Sequence, residues 1–281
     1  MSAPEEILYR PRGRYRSNRL GAHSSTEVGG FGVFRDQASF LRHPDARRID
    51  LRASLRDPFE QIYVRRFEQR QSVDVFAIID LSASMATLGA CDKFGLAQKI
   101  CEALAYSATG IGDRFGLIGC AETIREDSLL LPTRSRSLAL RATARLRREA
   151  CDGRSAEGFL AAAQALGAVR RLVCLISDFR WPQRLIRRVL DVFSPHDAIP
   201  LVVVDSCEEN PPPWGLLELV DSESGRRKLW AMRPSLHARW IAQERERQDF
   251  LKRLAADHCR PAIFVRDVFD PNILSQQLMA A

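Results

Sequence analysis

Val75-Phe76-Ala77-Ile78-Ile79-Asp80-Leu81-Ser82-Ala83-Ser84-Met85 opens with five apolar residues and then presents a carboxylate and two hydroxyls at alternate positions. A short apolar run of this kind is the pattern of a strand covered on both faces, as the centre of a parallel sheet requires. Past the run, Asp80, Ser82 and Ser84 point the same way in a strand-to-loop turn, because side chains alternate. One carboxylate and two neutral hydroxyls make part of a hard-oxygen shell, which suits Mg²⁺ or Mn²⁺. Asp-x-Ser-x-Ser alone is a weak signal. Its place at the end of a buried strand gives it weight.

Working outward, residues 93–108 read as a helix, with Phe94, Ala97, Ile100 and Leu104 at three- and four-residue steps. Phe115–Cys120 reads as a second strand and Ser128–Leu131 as a short third. Arg136–Glu149 and Ala156–Leu166 look helical. Leu172–Ser177 is another apolar strand, and it too runs into an aspartate, Asp178. A helix over Gln183–Val192 and a strand over Pro200–Val204 follow. Such alternation predicts an α/β fold with a doubly wound, mostly parallel sheet. Ligands of such sheets bind outside the carboxyl ends of the strands, where the strand order reverses. Asp80 and Asp178 are therefore expected to face one another across that crevice. Ser155, in Asp152-Gly-Arg-Ser155 just ahead of a helix, offers a further hydroxyl. It reads equally as a helix N-cap.

After Asp205 the rhythm changes. Asn210-Pro-Pro-Pro-Trp214 is a stiff loop, and Leu216–Val220 with Arg227–Trp230 form a hairpin around Ser222–Gly225. A long polar helix is expected over Ser235–Asp257, then a strand at Ala262–Val265 and a helix from Pro271. The Arg/Glu pattern of Arg239–Arg253 reads as a solvated helix face. Residues 1–70 are irregular, rich in Arg and Gly. They are expected to form an N-terminal extension packing on a main domain at 71–281, whose hairpin and long helix are an insertion at about 206–260. Tyr63–Phe67 reads as a strand or the start of a helix.

Composition excludes several classes. At 46% hydrophobic and 27% charged residues the chain is globular, and no run of apolar residues reaches the roughly 18 that span a bilayer. Its start, Met1-Ser-Ala-Pro-Glu-Glu, lacks the apolar core of a signal peptide, so a cytoplasmic location is expected. The net charge of +7 comes from arginines dispersed among acids, without an aromatic-interleaved basic run, so no nucleic-acid partner is expected. Cys91, Cys101, Cys120, Cys151, Cys174, Cys207 and Cys259 have no metal-ligand spacing and read as small core hydrophobes. The histidines are isolated. No Gly-x-x-x-x-Gly-Lys-[Ser/Thr] loop exists, so any ATPase activity belongs to a partner. Trp181 reads as packed against the following helix, with a place at the rim of the Asp80 site as the alternative.

Asp80, Ser82, Ser84 and Asp178 resemble the metal-ion-dependent adhesion site of von Willebrand factor A domains. That site has Asp-x-Ser-x-Ser, a Thr after the second helix and an Asp closing the fourth strand. Ser155 stands where the Thr is usual, keeping the hydroxyl. Arg47-Arg-Ile-Asp-Leu-Arg-Ala-Ser-Leu-Arg56, followed by Ile62-Tyr-Val-Arg-Arg-Phe-Glu68, is similar to the hallmark of the DUF58 family. Asp113-Arg-Phe-Gly-Leu117 and Leu219-Val-Asp-Ser-Glu-Ser-Gly225 fit it too. The family usually has Trp at the position of Leu51 and often Ala at that of Leu55.

The resemblance implies a von Willebrand A-like (Rossmann-like) domain with Mg²⁺ or Mn²⁺ held by Asp80, Ser82, Ser84, Ser155 and Asp178. It also implies a MoxR-type AAA+ ATPase as partner, in maturation of or cofactor insertion into a client protein, methanol dehydrogenase being one linked to the family. The incomplete shell would bind an acidic residue of the ATPase or client. The expectation is a binding module, not an enzyme. The alternatives are a metal-dependent phosphohydrolase, against which Ser82 stands where a second acid would be needed, and a structural module that never binds metal.

Overall fold

Arg14–Val73 form one unit, and Met1–Gly13 with Asp74–Ala281 form the other. The structure, a computed structural model, describes residues 4–13, 15, 20–29, 33–220 and 227–280; the expected turn at Ser222–Gly225 lies outside the described residues.

The small unit is a three-stranded antiparallel sheet of β1 (Leu20–Gly29), β2 (Val33–Ser39) and β3 (Tyr63–Gln71), with β3 in the middle. The irregular reading of this region missed β1 and β2, whose sequences LGAHSSTEVG and VFRDQAS lack a sustained apolar alternation. Helix α1 (Leu51–Arg56) lies between β2 and β3. Asp50 is the hub of the unit. Its carboxylate caps α1 through Ala53 N–H (3.2 Å) and accepts from Gln37 on β2 (2.8 Å) and Arg65 on β3 (2.9 Å). One carboxylate thus ties three elements.

The large unit is built on a six-stranded sheet. In chain order its elements begin with β4 (Asp74–Asp80), α2 (Lys93–Gly110), β5 (Arg114–Cys120), β6 (Ile124–Thr133), α3 (Arg136–Arg145) and α4 (Gly158–Leu166). They continue with β7 (Leu172–Ser177), α5 (Gln183–Phe193), β8 (Asp197–Val204), α6 (Ser206–Glu209), β9 (Gly215–Val220) and β10 (Arg227–Met232). Helices α7 (Pro234–His258) and α8 (Pro271–Ala280) flank β11 (Ile263–Arg266). The strand order is β11-β8-β7-β4-β5-β6, parallel throughout except for β6, which turns back against β5 at the edge. This is the doubly wound α/β sheet expected from the sequence.

Burial follows the apolar runs. Every residue of β7 and β8 is buried, as is every residue of β4 after Asp74. On one face Phe76, Ile78, Ile118, Val173, Leu175 and Val202 pack with Phe159 of α4, Ile186 and Leu190 of α5 and Leu254 of α7. On the other, the alternate strand residues are covered by α2, which buries Leu96, Ala97, Ile100, Leu104 and Ala108. Hairpin β9–β10 pairs antiparallel. Among the described residues no helix is long and apolar enough to cross a membrane.

The beginning of the chain does not belong with the rest of the N-terminal region. Ile7 N–H donates to Ser107 Oγ of α2 (2.8 Å), Tyr9 Oη to Asp113 (2.7 Å), and Arg12 N–H to Asp197 (2.6 Å). Ile7 and Tyr9 are buried in the large unit. Ile7-Leu8-Tyr9 is an apolar run of only three residues, too short to show a period, so this strap left no mark that sequence patterning detects.

Candidate metal centre

Strand order reverses between β4 and β7, and the side chains of interest gather outside their carboxyl ends. Asp80 closes β4. The chain then turns through a single 3-10 turn, Ala83–Ala86, that aims Ser82 and Ser84 at the same point as Asp80. Leu81 N–H is held by Cys120 O (2.7 Å), and Ala83 N–H by Gly153 O (2.8 Å). Gly153 N–H returns a bond to Leu81 O (3.1 Å). A Cβ at Gly153 would lie 2.8 Å from that of Ala121, so this close approach of two loops requires glycine.

Four of the five expected residues come together. Ser82 N–H donates to Asp80 Oδ1 (2.8 Å), Ser82 Oγ and Ser84 Oγ are 3.1 Å apart, and Ser84 Oγ donates to Asp178 Oδ1 (3.3 Å). Asp80, Ser82 and Asp178 are buried, with Ser84 half-buried. Ser155 does not join them. Its Oγ accepts from Glu157 N–H (3.1 Å), a local turn just ahead of α4, and among the described residues it shares no hydrogen bond with the other four. Its loop nevertheless abuts the site through Gly153.

The two carboxylates are held differently. Asp80 Oδ2 accepts from Ser177 Oγ (2.6 Å) and from the indole N–H of Trp181 (2.9 Å), both neutral. Burial, and then the neighbouring charge of Asp178, push its carboxyl up to about 6 against the lowering pull of its hydrogen bonds with Ser177 and Ser82. Asp178 is equally buried, which on its own would raise it. The Lys93 ammonium, joined by the N–H and the charge of Arg180, outweighs that and holds it below the ordinary carboxylate range. Lys93 Nζ donates to Asp178 Oδ2 at 2.8 Å and to Glu208 Oε1 at 2.8 Å, with the lysine side chain wholly out of solvent.

Several residues here were not read from the sequence. Trp181, which was read, takes the rim position given as its alternative. It packs against Phe159 and Phe179 with ring centroids 4.8 and 4.9 Å away, and it donates to Asp80. Phe179 follows Asp178 with φ +50°, an uncommon backbone for a bulky side chain, supported by its N–H bond to Ser177 Oγ (2.8 Å). Arg180 reaches Glu208 (2.8 Å) and Glu244 (3.5 Å).

The long helix α7 also contributes. Arg247 donates to the carbonyls of Asp178 (3.2 Å) and Phe179 (3.3 Å), and Trp240 to that of Glu208 (2.8 Å). Glu244 and Gln248 are buried, so the solvated reading of Arg239–Arg253 fails on this face: its charges pair with the site's rim instead of water. Lys93 did leave a signal. It stands four residues before Ala97, on the row of Ala97, Ile100 and Leu104 that α2 buries, a position the sequence reading passed over.

Hard neutral and anionic oxygens converging at a strand-order reversal fit a divalent cation of the Mg²⁺ or Mn²⁺ kind. Asp80, Ser82, Ser84 and Asp178 are the residues that would hold it.

Fold and site together define a doubly wound α/β module with an oxygen cluster at its switch point. The chain matches the family described as Protein of unknown function DUF58 over residues 42–250, and it belongs to that family. It is similar, at 37% identity over 90 residues (32% of this chain, 86% of the relative), to an uncharacterized protein in the moxR 3' region of Paracoccus denitrificans. An uncharacterized protein of Mycobacterium tuberculosis is 25% identical over 230 residues, covering 79% of this chain and 67% of that one. Among solved structures it is similar to BatB from Bacteroides thetaiotaomicron (TM-score 0.43, 15% identity, 74% of this chain and 97% of that one). It is also similar to the SpRpn10 VWA domain (TM-score 0.41, 12% identity, 75% and 98%).

Proposed function

We propose that this chain is a metal-dependent protein-interaction module, acting with a MoxR-type AAA+ ATPase in the maturation of a client protein, and that it is not a catalyst. The observation that carries the reading is the convergence of Asp80, Ser82, Ser84 and Asp178 at the switch point of the sheet. Two serines add no charge, so these residues would leave a bound Mg²⁺ or Mn²⁺ with positive charge to attract an acidic side chain of a partner. The protein's own part is to position these oxygens. Ser177 and Trp181 fix the Asp80 carboxylate, and the pairing of Ala83 with Gly153 fixes the serine loop. Ser155, on that neighbouring loop, is a fifth candidate ligand.

The choice of partner is supported by the Paracoccus relative, named for its position 3' of moxR. Against a phosphohydrolase stands Ser82, two residues after Asp80, where a second acid would be needed.

The test is retention of a purified MoxR-type ATPase on the immobilised chain. Retention in Mg²⁺, release by EDTA and loss in Asp80→Ala are expected. Equal retention in EDTA, or by the variant, would overturn metal-dependent docking.

A further inference from the structure

Lys93 is hard to explain as a simple structural ion pair. Burying an ammonium completely is costly unless it is paired, and one carboxylate would suffice for charge. The chain gives it two, Asp178 and Glu208, each at 2.8 Å. Glu208 is itself fixed by Thr87 Oγ1 (3.0 Å) and, on its other oxygen, by Arg180 (2.8 Å). Thus the lysine keeps an anchored acid that is independent of the candidate centre. Its other partner is the carboxylate whose remaining oxygen accepts from Ser84, in the middle of the oxygen cluster.

We propose that Lys93 is a tethered competitor for the divalent cation, neutralising Asp178 in the metal-free protein and weakening metal binding at Asp80, Ser82, Ser84 and Asp178. The inference rests on the metal-binding reading above. Its physical basis is that the ammonium and a divalent cation require the same carboxylate, and their mutual repulsion is poorly screened where both are out of water. Glu208 lets the ammonium remain paired when its hold on Asp178 is weakened. The site would therefore bind metal reversibly and only above a threshold concentration, which suits a docking switch better than a permanent structural ion.

The experiment is a Mn²⁺ titration followed by the electron paramagnetic resonance signal of free Mn²⁺, on the full chain and on Lys93→Gln and Lys93→Arg. Circular dichroism checks the fold. Lys93→Gln should bind Mn²⁺ at least tenfold more tightly than the native chain, and Lys93→Arg no more tightly. If the native chain binds and Lys93→Gln binds equally or more weakly, the competitor role is wrong while the metal site stands. If neither binds, both readings fall.

A measurement on the native chain covers the case in which Lys93→Gln does not fold. In protein labelled with ¹⁵N at lysine Nζ, saturating Mg²⁺ should shift the Lys93 ammonium resonance. An unchanged resonance in Mg²⁺-bound protein would overturn the proposal.

Discussion

The two ends of the central sheet treat buried carboxylates in opposite ways. At the amino ends of β4 and β8 acids meet arginines. Asp197 takes a two-bond clamp from Arg260 (2.7 and 2.6 Å), and Asp74 pairs with Arg114 (2.6 Å). At the carboxyl ends the same residue type meets neutral donors. Asp80 is held by Ser177, Trp181 and the Ser82 N–H, and Asp205 by the N–H groups of Ala90 (3.1 Å) and Cys207 (2.8 Å). Asp178 is the exception, and its counter-charge is a lysine shared with Glu208. The amino end is neutralised and so contributes to folding. The carboxyl end carries uncompensated negative charge, as a place for a cation should.

That contrast predicts unequal responses to the same substitution. Asp197→Asn should destabilise the protein by about 3–5 kcal/mol, because it strands the buried Arg260 guanidinium. Asp80→Asn should change stability in metal-free buffer by only about 1 kcal/mol, since it removes a charge that burial already disfavours and leaves neutral donors behind. Urea unfolding of both variants measures this. Equal losses would break the comparison.

Metal sharpens it further. Mg²⁺ at a hundred times its dissociation constant should stabilise the native chain by about 2.7 kcal/mol. EDTA should reverse the gain, and Asp80→Asn should lack it, as read by thermal unfolding. Within the site, Ser84→Ala should weaken Mn²⁺ binding about tenfold, as loss of roughly 1.4 kcal/mol would. Ser155→Ala, whose hydroxyl is engaged by Glu157 N–H, should change it much less. An equal effect would make Ser155 a ligand.

The smallest effect belongs to the small unit, where Asp50 repeats the amino-end pattern with Arg65. The Arg65 hydrogen bond outweighs desolvation and lowers Asp50 from 3.8 to about 2. A depressed carboxyl contributes stability that is complete above its ordinary value and is lost as pH falls through about 2. Carbon NMR of the Asp50 carboxyl should titrate there, and amide protection in β3 should fall with it. Titration near 4 would mean that Arg65 does not hold it.

What could be read in the sequence follows the same division. Asp80, Ser82, Ser84 and Asp178 were legible because each closely follows the end of an apolar run, and a run's end fixes where its side chains go. The sheet was legible for the same reason. Glu208 and Arg247 were not, because they reach the centre from helices far along the chain from β4 and β7, and Lys93 was not, because its own neighbourhood does not name Asp178 as its partner. Only the apolar row behind Lys93 hinted at its burial. Strands β1 and β2 escaped because a sheet so polar in sequence carries little alternation, and both pair only with β3.

The most direct test of the account is a Mn²⁺ titration of the native chain beside Asp80→Asn, with circular dichroism confirming that both are folded. One bound Mn²⁺ per native chain, displaced by Mg²⁺, and none in the variant are expected. A folded native chain that binds no Mn²⁺, or a variant that binds it as well, would contradict the claim that these strand ends form a metal centre.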